Sequence, residues 1–258
     1  MTVRELYARL NELIPRTLSC EWDNDGLLCC PDGKREVKKI LVTLDVTANA
    51  IDKAISGGYD VILSHHPFIF KGLKALDDEH MISAKAIKLI SAGISVMSFH
   101  TRLDALDGGV NDKLCEIFDL VDVETVFEEG IPLGRIGSLK QDLSAEEFAK
   151  TVKAKLGSPF VLLADAGVLV HRVGVLGGSG KDSIEIMRRA GADTFVSGRL
   201  DYHPMTDYPD DSTHPINLIE AGHFYTENPV CAALADIVRN IDADIDCDIF
   251  YSNTIKAI

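Results

Sequence analysis

The chain has 258 residues, 46% hydrophobic and 26% charged, a composition that suits a globular protein of one large domain or two smaller ones. Its net charge of −14 excludes a general nucleic-acid binder, which needs a basic footprint, and disfavours adhesion to anionic membranes. The six cysteines (Cys20, Cys29, Cys30, Cys115, Cys231, Cys247) form no C-x-x-C pair, so reduced and mostly buried thiols are expected rather than a zinc or redox motif.

The opening segment, MTVRELYARLNELIP, sets Leu6, Leu10 and Ile14 on one face of a helix that Pro15 stops. Acidic residues within it leave no apolar signal-peptide core, and no run reaches the roughly 18 apolar residues of a membrane span. A soluble, cytoplasmic protein without membrane or nucleic-acid partners is therefore expected. "EWDNDGLL" (21–28) follows, with the only tryptophan beside Asp23, Asn24 and Asp25; it reads first as a turn and second as pocket lining. Segment 39–63 then reads strand, helix, strand: Thr47 caps a helix carrying Ile51, Ala54 and Ile55, Gly57-Gly58 ends it, and "DVIL" is a strand of the buried parallel kind. A helix "SAKAIKLISAG" and a strand "ISVMSF" continue an alternation that predicts an α/β fold with a largely parallel sheet.

The pattern then repeats. Ile40 set against Val173 gives a constant offset of 133 over "ILVTLDVTANAIDKAISGGYDVILS" and "VGVLGGSGKDSIEIMRRAGADTFVS", pairing Ile51 with Ile184, Gly58 with Gly191 and Asp60 with Asp193. At an offset of 123, "HTRLD" (100–104) meets "HFYTE" (223–227), pairing His100 with His223 and Asp104 with Glu227. The expected architecture is two related α/β lobes arising from an internal duplication. Residues 1–125 form the first lobe and 126–258 the second, with the boundary in "DLVDVETVFEEGIPLGR", where Gly130 and Pro132 break the periodicity.

Polar clusters stand at the ends of the expected strands, where open parallel sheets bind ligands. Imidazole nitrogen and carboxylate oxygen together suit a divalent ion such as zinc, iron or manganese. His65 and His66 in "SHHP", Asp104 in "HTRLD", and His223 and Glu227 in "GHFYTE" make five candidate ligands, too many for one catalytic zinc and suited to two ions sharing a carboxylate. The strand "DVIL" ends just before the paired histidines, and Pro67 biases His66 toward an extended conformation that splays the two rings. His100 is read either as a group orienting Asp104 or simply as a strand end. His203 lies in a polar loop, a surface residue on one reading and a substrate contact on the other. "GVLGGSGKDS" (174–183) lacks the P-loop spacing and reads as a tight strand-to-helix turn, with an anion at the helix start as the other reading.

"EWDNDGLL", "SHHPFIF", "HTRLDALDGGVND", "GGSG" and "EAGHFYTE" occur in the order seen in one family, and the chain resembles the GTP cyclohydrolase 1 type 2 homologues, also called NIF-three-like or dinuclear metal-centre proteins. The resemblance covers nearly the whole chain. It implies two α/β lobes with a two-metal site between them, His65, His66, Asp104, His223 and Glu227 as ligands, and a ring-shaped homohexamer. Two departures stand out. "SGRLDYH" carries Arg199 where the family commonly has aspartate, and "GLLCC" replaces a glycine-containing continuation.

The implied activity is hydrolytic opening of the imidazole ring of GTP or a related nucleotide, with His100 or His203 moving protons and with Gly177–Gly180, Lys181 and Arg199 as candidate phosphate contacts. The competing expectation is a non-enzymatic metal carrier, insertion factor or regulatory protein that uses the same ligands. A purely structural metal fits less well, since such sites are usually closed, mononuclear and four-coordinate.

Overall fold

The computed structural model describes residues 1–257. In chain order it runs α1 (Val3–Leu13), β1 (Gly26–Cys29), β2 (Lys39–Thr43), α2 (Ala48–Gly57), β3 (Val61–Ser64), α3 (Met81–Ala92), β4 (Ser95–Ser98) and α4 (Thr101–Ala105). After α5 (Val110–Ile117) and the strands β5 (Val121–Glu128) and β6 (Ile131–Leu143), the succession returns as α6 (Ala145–Leu156), β7 (Leu162–Ala164), β8 (Val170–Ser179) and α7 (Ile184–Arg189). It continues through β9 (Thr194–Arg199), α8 (Tyr202–Asp207), β10 (Asn217–Glu220) and α9 (His223–Glu227), then α10 (Val230–Ile241) and β11 (Asp246–Ile249).

Two compact units result. Among the described residues, the first holds Met1–Leu106 and Val230–Thr254, and the second holds Asp107–Pro229 and 255–257. The first sheet has the order β1-β4-β3-β2-β11, and the second has β5-β6-β8-β9-β10-β7. Within them β1-β4-β3-β2 and β7-β10-β9-β8 are one design, three parallel strands with an antiparallel strand at the same end. The duplication thus reaches further than the 133-residue match. It includes the leading helices α1 and α6, each opened by a capping box, Thr2 with Glu5 and Ser144 with Glu147.

The matched residues do matched work. Asp60 accepts from the backbone N–H groups of Lys38 and Lys39 at 2.8 and 3.0 Å, and Asp193 from those of His171 and Arg172 at 2.9 and 2.7 Å. Gly58 and Gly191 both take positive φ just beyond the helices they follow. Ile51 and Ile184 are both buried. In the first unit Leu41, Ile51, Ile62, Phe68, Leu89 and Val96 pack into one core cluster. In the second, neighbours on β9 face opposite ways, Val196 toward Phe148 and Val152 and Phe195 toward Ile184 and Met187, so helices cover both faces of the sheet. Each such side chain contributes about 1.5–3 kcal/mol when fully buried.

Three expectations need correction. The cut at 125/126 falls inside β5, whose Thr125 pairs with Arg135 on β6, so the glycine and proline there mark a hairpin and not a lobe boundary. The segment after 230 also leaves the second half, because β11 adds in parallel to β2, Cys247 opposite Ile40. The offset of 123 is likewise out of frame with the strands. Ser64 pairs with Ser98 and Ser197 with Glu220, an offset of 122 (220 − 98), which sets Thr101 and not His100 against His223.

Four of the six cysteines are buried as expected, and Cys20 and Cys30 are intermediate. Burial pushes the thiols of Cys29 and Cys247 up to about 11 and that of Cys115 up to about 12, which suppresses the nucleophilic thiolate. No helix of the described residues is long and apolar enough to cross a membrane.

Candidate metal centre

In the first unit the site grows from the carboxyl ends of β3 and β4. The backbone N–H of His65 donates to the carbonyl of Thr43, and that of His66 to the carbonyl of Leu44, which extends the strand alignment just past Ser64. Phe99 N–H donates to Ser64 O, bringing His100 alongside. The three imidazoles then cluster, with ring centroids 5.0 Å (His65–His66), 5.3 Å (His65–His100) and 5.7 Å (His66–His100) apart. The planes of His65 and His66 are tilted by 44°, in keeping with the expected splay.

Each ring is held through Nδ1. His65, fully buried, lies 3.0 Å from the carbonyl oxygen of Phe99; His66 lies 2.8 Å from Asp45 Oδ1; His100 lies 3.0 Å from Asp23 Oδ1. Carbonyl and carboxylate oxygens only accept, so every Nδ1 carries the proton. In the neutral ring the lone pair is then at Nε2, the state a metal ligand requires. One ring nitrogen from each of the three histidines lies within 4.8 Å of the other two. Asp104, on α4, adds a carboxylate 3.6 Å from His65 Nε2.

The supporting residues were under-read in sequence. Asp23 accepts from His100 Nδ1 and also from the N–H and hydroxyl of Thr101 at 3.1 and 2.7 Å. Burial alone would raise its carboxyl, but these hydrogen bonds outweigh it and hold the group down at about 2. Asp25 forms a buried two-point pair with Arg102, Nε to Oδ2 at 2.7 Å and Nη2 to Oδ1 at 3.0 Å. The fully buried Arg102 also donates to Asn11 and to the carbonyl of Ile14, which fixes α4 and with it Asp104. "EWDNDGLL" is thus more than a turn. His100 donates to Asp23 and not to Asp104, so it joins the cluster without orienting Asp104.

In the second unit α9 presents His223 and Glu227 one helical turn apart, Nε2 to Oε2 2.8 Å. The Glu227 side chain is nearly buried and that of His223 is about half exposed. The "GGSG" turn makes room for this pair. A Cβ on Gly178, which has φ +68°, would run into the Glu227 carboxylate, and one on Gly198 would meet the backbone of His223. Gly178 N–H also donates to Thr226 Oγ1 at 3.1 Å. The glycines therefore hold a close approach, a role absent from both sequence readings of the turn.

His203 is exposed on α8, its ring edge-on to Tyr202 at 5.5 Å. Among the described residues no hydrogen bond or ion pair joins it to His223 or Glu227. The two candidate phosphate contacts are already engaged: Arg199 Nε donates to Asp201 at 2.7 Å, and Lys181 Nζ lies 3.2 Å from the same carboxylate.

The donor set fits a divalent ion. Three imidazoles with Nδ1 anchored and carboxylates that are largely buried make a poor apolar core and a good nitrogen–oxygen ligand set. Duplicated α/β units with histidine and carboxylate at the carboxyl ends of parallel strands define the class. Within it, the family model for Duf34/NIF3 (NGG1p interacting factor 3) matches residues 1–257, and the chain belongs to that family.

Relatives agree over nearly the full length. A Clostridium acetobutylicum protein called GTP cyclohydrolase 1 type 2 homolog is 33% identical over 237 residues, 89% of this chain and 86% of that one. A Clostridium perfringens protein of the same name is 29% identical over 253 residues, 95% of each chain. Among solved structures, the Staphylococcus aureus hypothetical protein SA1388 aligns with a TM-score of 0.89 at 26% identity, covering 100% of this chain and 99% of that one. Reduced HcgD from Methanocaldococcus jannaschii aligns with a TM-score of 0.83 at 25% identity, covering 96% and 97%.

Proposed function

We propose that the protein is a dinuclear divalent-metal hydrolase that opens a ring in GTP or a related nucleotide, with His65, His66, Asp104, His223 and Glu227 as metal ligands. The observation that carries the metal reading is the anchoring of three clustered imidazoles through Nδ1, which leaves each Nε2 free of its proton in the neutral ring. The relatives named GTP cyclohydrolase 1 type 2 homolog support the reaction class. A bound pair of ions such as zinc, iron or manganese supplies Lewis acidity and a water acidic enough to ionise near neutral pH.

This chain's residues supply the rest. Asp45 and the Phe99 carbonyl hold the His66 and His65 rings in one tautomer and one orientation, which limits the rearrangement needed on loading. Asp104 and Glu227 bring negative charge to neutralise the cations. His100, tied to Asp23, is the proposed proton carrier beside the cluster, since its ring is within reach of both ligand histidines. His203, exposed on α8 after β9, is the second proposed proton carrier. Family membership extends the proposal to a ring-shaped homohexamer in the cytoplasm.

The experiment is turnover of GTP by protein reconstituted with manganese, zinc or iron. Turnover that Asp104→Ala abolishes is the expected result. Stoichiometric metal without turnover, together with transfer of the ion to an apo-acceptor, would replace the hydrolase with a metal carrier.

A further inference from the structure

We propose that Trp22 and Phe70 form a stacking platform for a planar heteroaromatic ring, a purine, at the edge of the histidine cluster. The assignment of that ring to the substrate rests on the nucleotide reading above; the platform itself rests on geometry. Trp22 is 64% exposed and Phe70 47% exposed, large apolar rings left open to water beside a group of buried and half-buried histidines. The two meet each other edge to face, centroids 6.2 Å apart and planes at 67°. Both also meet His100 in the same manner, at 6.2 Å and 76° for Trp22 and at 6.4 Å and 90° for Phe70. An edge-to-face contact engages an edge or one face of a ring, and the remaining exposure of Trp22 leaves a π-face available.

The rings are held in place. Asp23, next to Trp22, accepts three hydrogen bonds from His100 and Thr101, and Cys20 N–H donates to Thr101 Oγ1 at 2.9 Å. Asn24 Nδ2 donates to the carbonyl of Ile69, which ties the tryptophan loop to the loop carrying Phe70. Exposed aromatics on so anchored a pair of loops are preorganised for a flat ligand rather than waiting to collapse. Stacking on a neutral ring carries no electrostatic penalty in a chain of net charge −14. His100 makes the platform continuous with the cluster, so a stacked ring would lie next to the proposed metal ligands.

Trp22 is the only tryptophan in the chain, so its fluorescence reports this position alone. Guanosine titrated into the metal-loaded protein is expected to change that fluorescence saturably, while ribose phosphate is expected to leave it unchanged. By equilibrium dialysis of labelled guanosine, Trp22→Ala and Phe70→Ala should weaken binding by roughly five- to 150-fold, the range expected for a lost base–aromatic stack, and Trp22→Phe should retain most of it. Metal content should stay at the wild-type value in all three variants. Guanosine binding that none of the variants alters, or loss of metal from Trp22→Ala, would overturn the platform. So would a changed assembly mass with guanosine binding intact, which would mark the patch as a contact between copies. Saturable guanosine binding by a protein that takes up no metal would instead remove the metal reading and leave the platform standing.

Discussion

Equivalent positions in the two units carry opposite assignments. At the offset of 133, Asp45 corresponds to Gly178, His65 to Gly198 and His66 to Arg199. In the first unit the strand ends supply the imidazoles, and Asp45, two residues beyond β2, supplies a carboxylate that orients one of them. In the second unit the counterparts of Asp45 and His65 are glycines, which lets α9 bring its own histidine and carboxylate close to the strand ends. A histidine at position 198 would collide with the backbone of His223. Duplication therefore preserved the frame while the candidate imidazoles came from different elements, the ends of β3 and β4 in the first unit and α9 in the second.

Substitutions can break or sharpen that contrast. The largest expected effect is on the frame of the first unit: Arg102→Ala leaves the buried Asp25 carboxylate without its partner and should cost about 3–5 kcal/mol in urea unfolding. A cost below about 1 kcal/mol, the range of exposed pairs, would show that α4 is fixed by something else. Next comes the ligand-orienting role peculiar to the first unit. Asp45→Ala should weaken zinc binding about 10- to 100-fold in a chelator competition while leaving thermal stability close to wild type. Unaltered zinc affinity would reduce Asp45 to a surface carboxylate. The smallest effect tests what the units share. Asp60→Asn and Asp193→Asn each weaken a carboxylate bond to two backbone N–H groups and should cost about 1 kcal/mol, Asp60 the more because it also pairs with Arg35 at 2.7 Å. A cost for one and none for the other would mean that the matched aspartates do not do matched work.

Much of this was legible in the sequence, for local reasons. The strand–helix–strand units follow from apolar runs, the Thr47 cap and Gly58, all signals contained within a few residues of one another. The paired histidines, Asp104, His223 and Glu227 stand out in the sequence as candidate ligands because strand ends in α/β proteins gather polar side chains. The supporting contacts were not, because their partners are remote: Asp45 and His66 are 21 residues apart, and Asp23 and His100 are 77 apart. Hydrogen bonds over such separations leave no periodicity. The return of β11 to the first sheet was hidden for the same reason, since a parallel edge strand declares its partner only by register. The glycine turn misled because a glycine kept for close approach resembles one kept for a bend.

The central proposal is a pair of divalent ions per chain, with His65, His66, Asp104, His223 and Glu227 as their ligands. Stripping the protein with a chelator, reloading it with zinc and counting ions per chain after gel filtration tests it most directly. The account predicts two ions per chain in the wild type and fewer than two in both His66→Ala and Glu227→Ala. One ion or none in the wild type, or two in both variants, would contradict it.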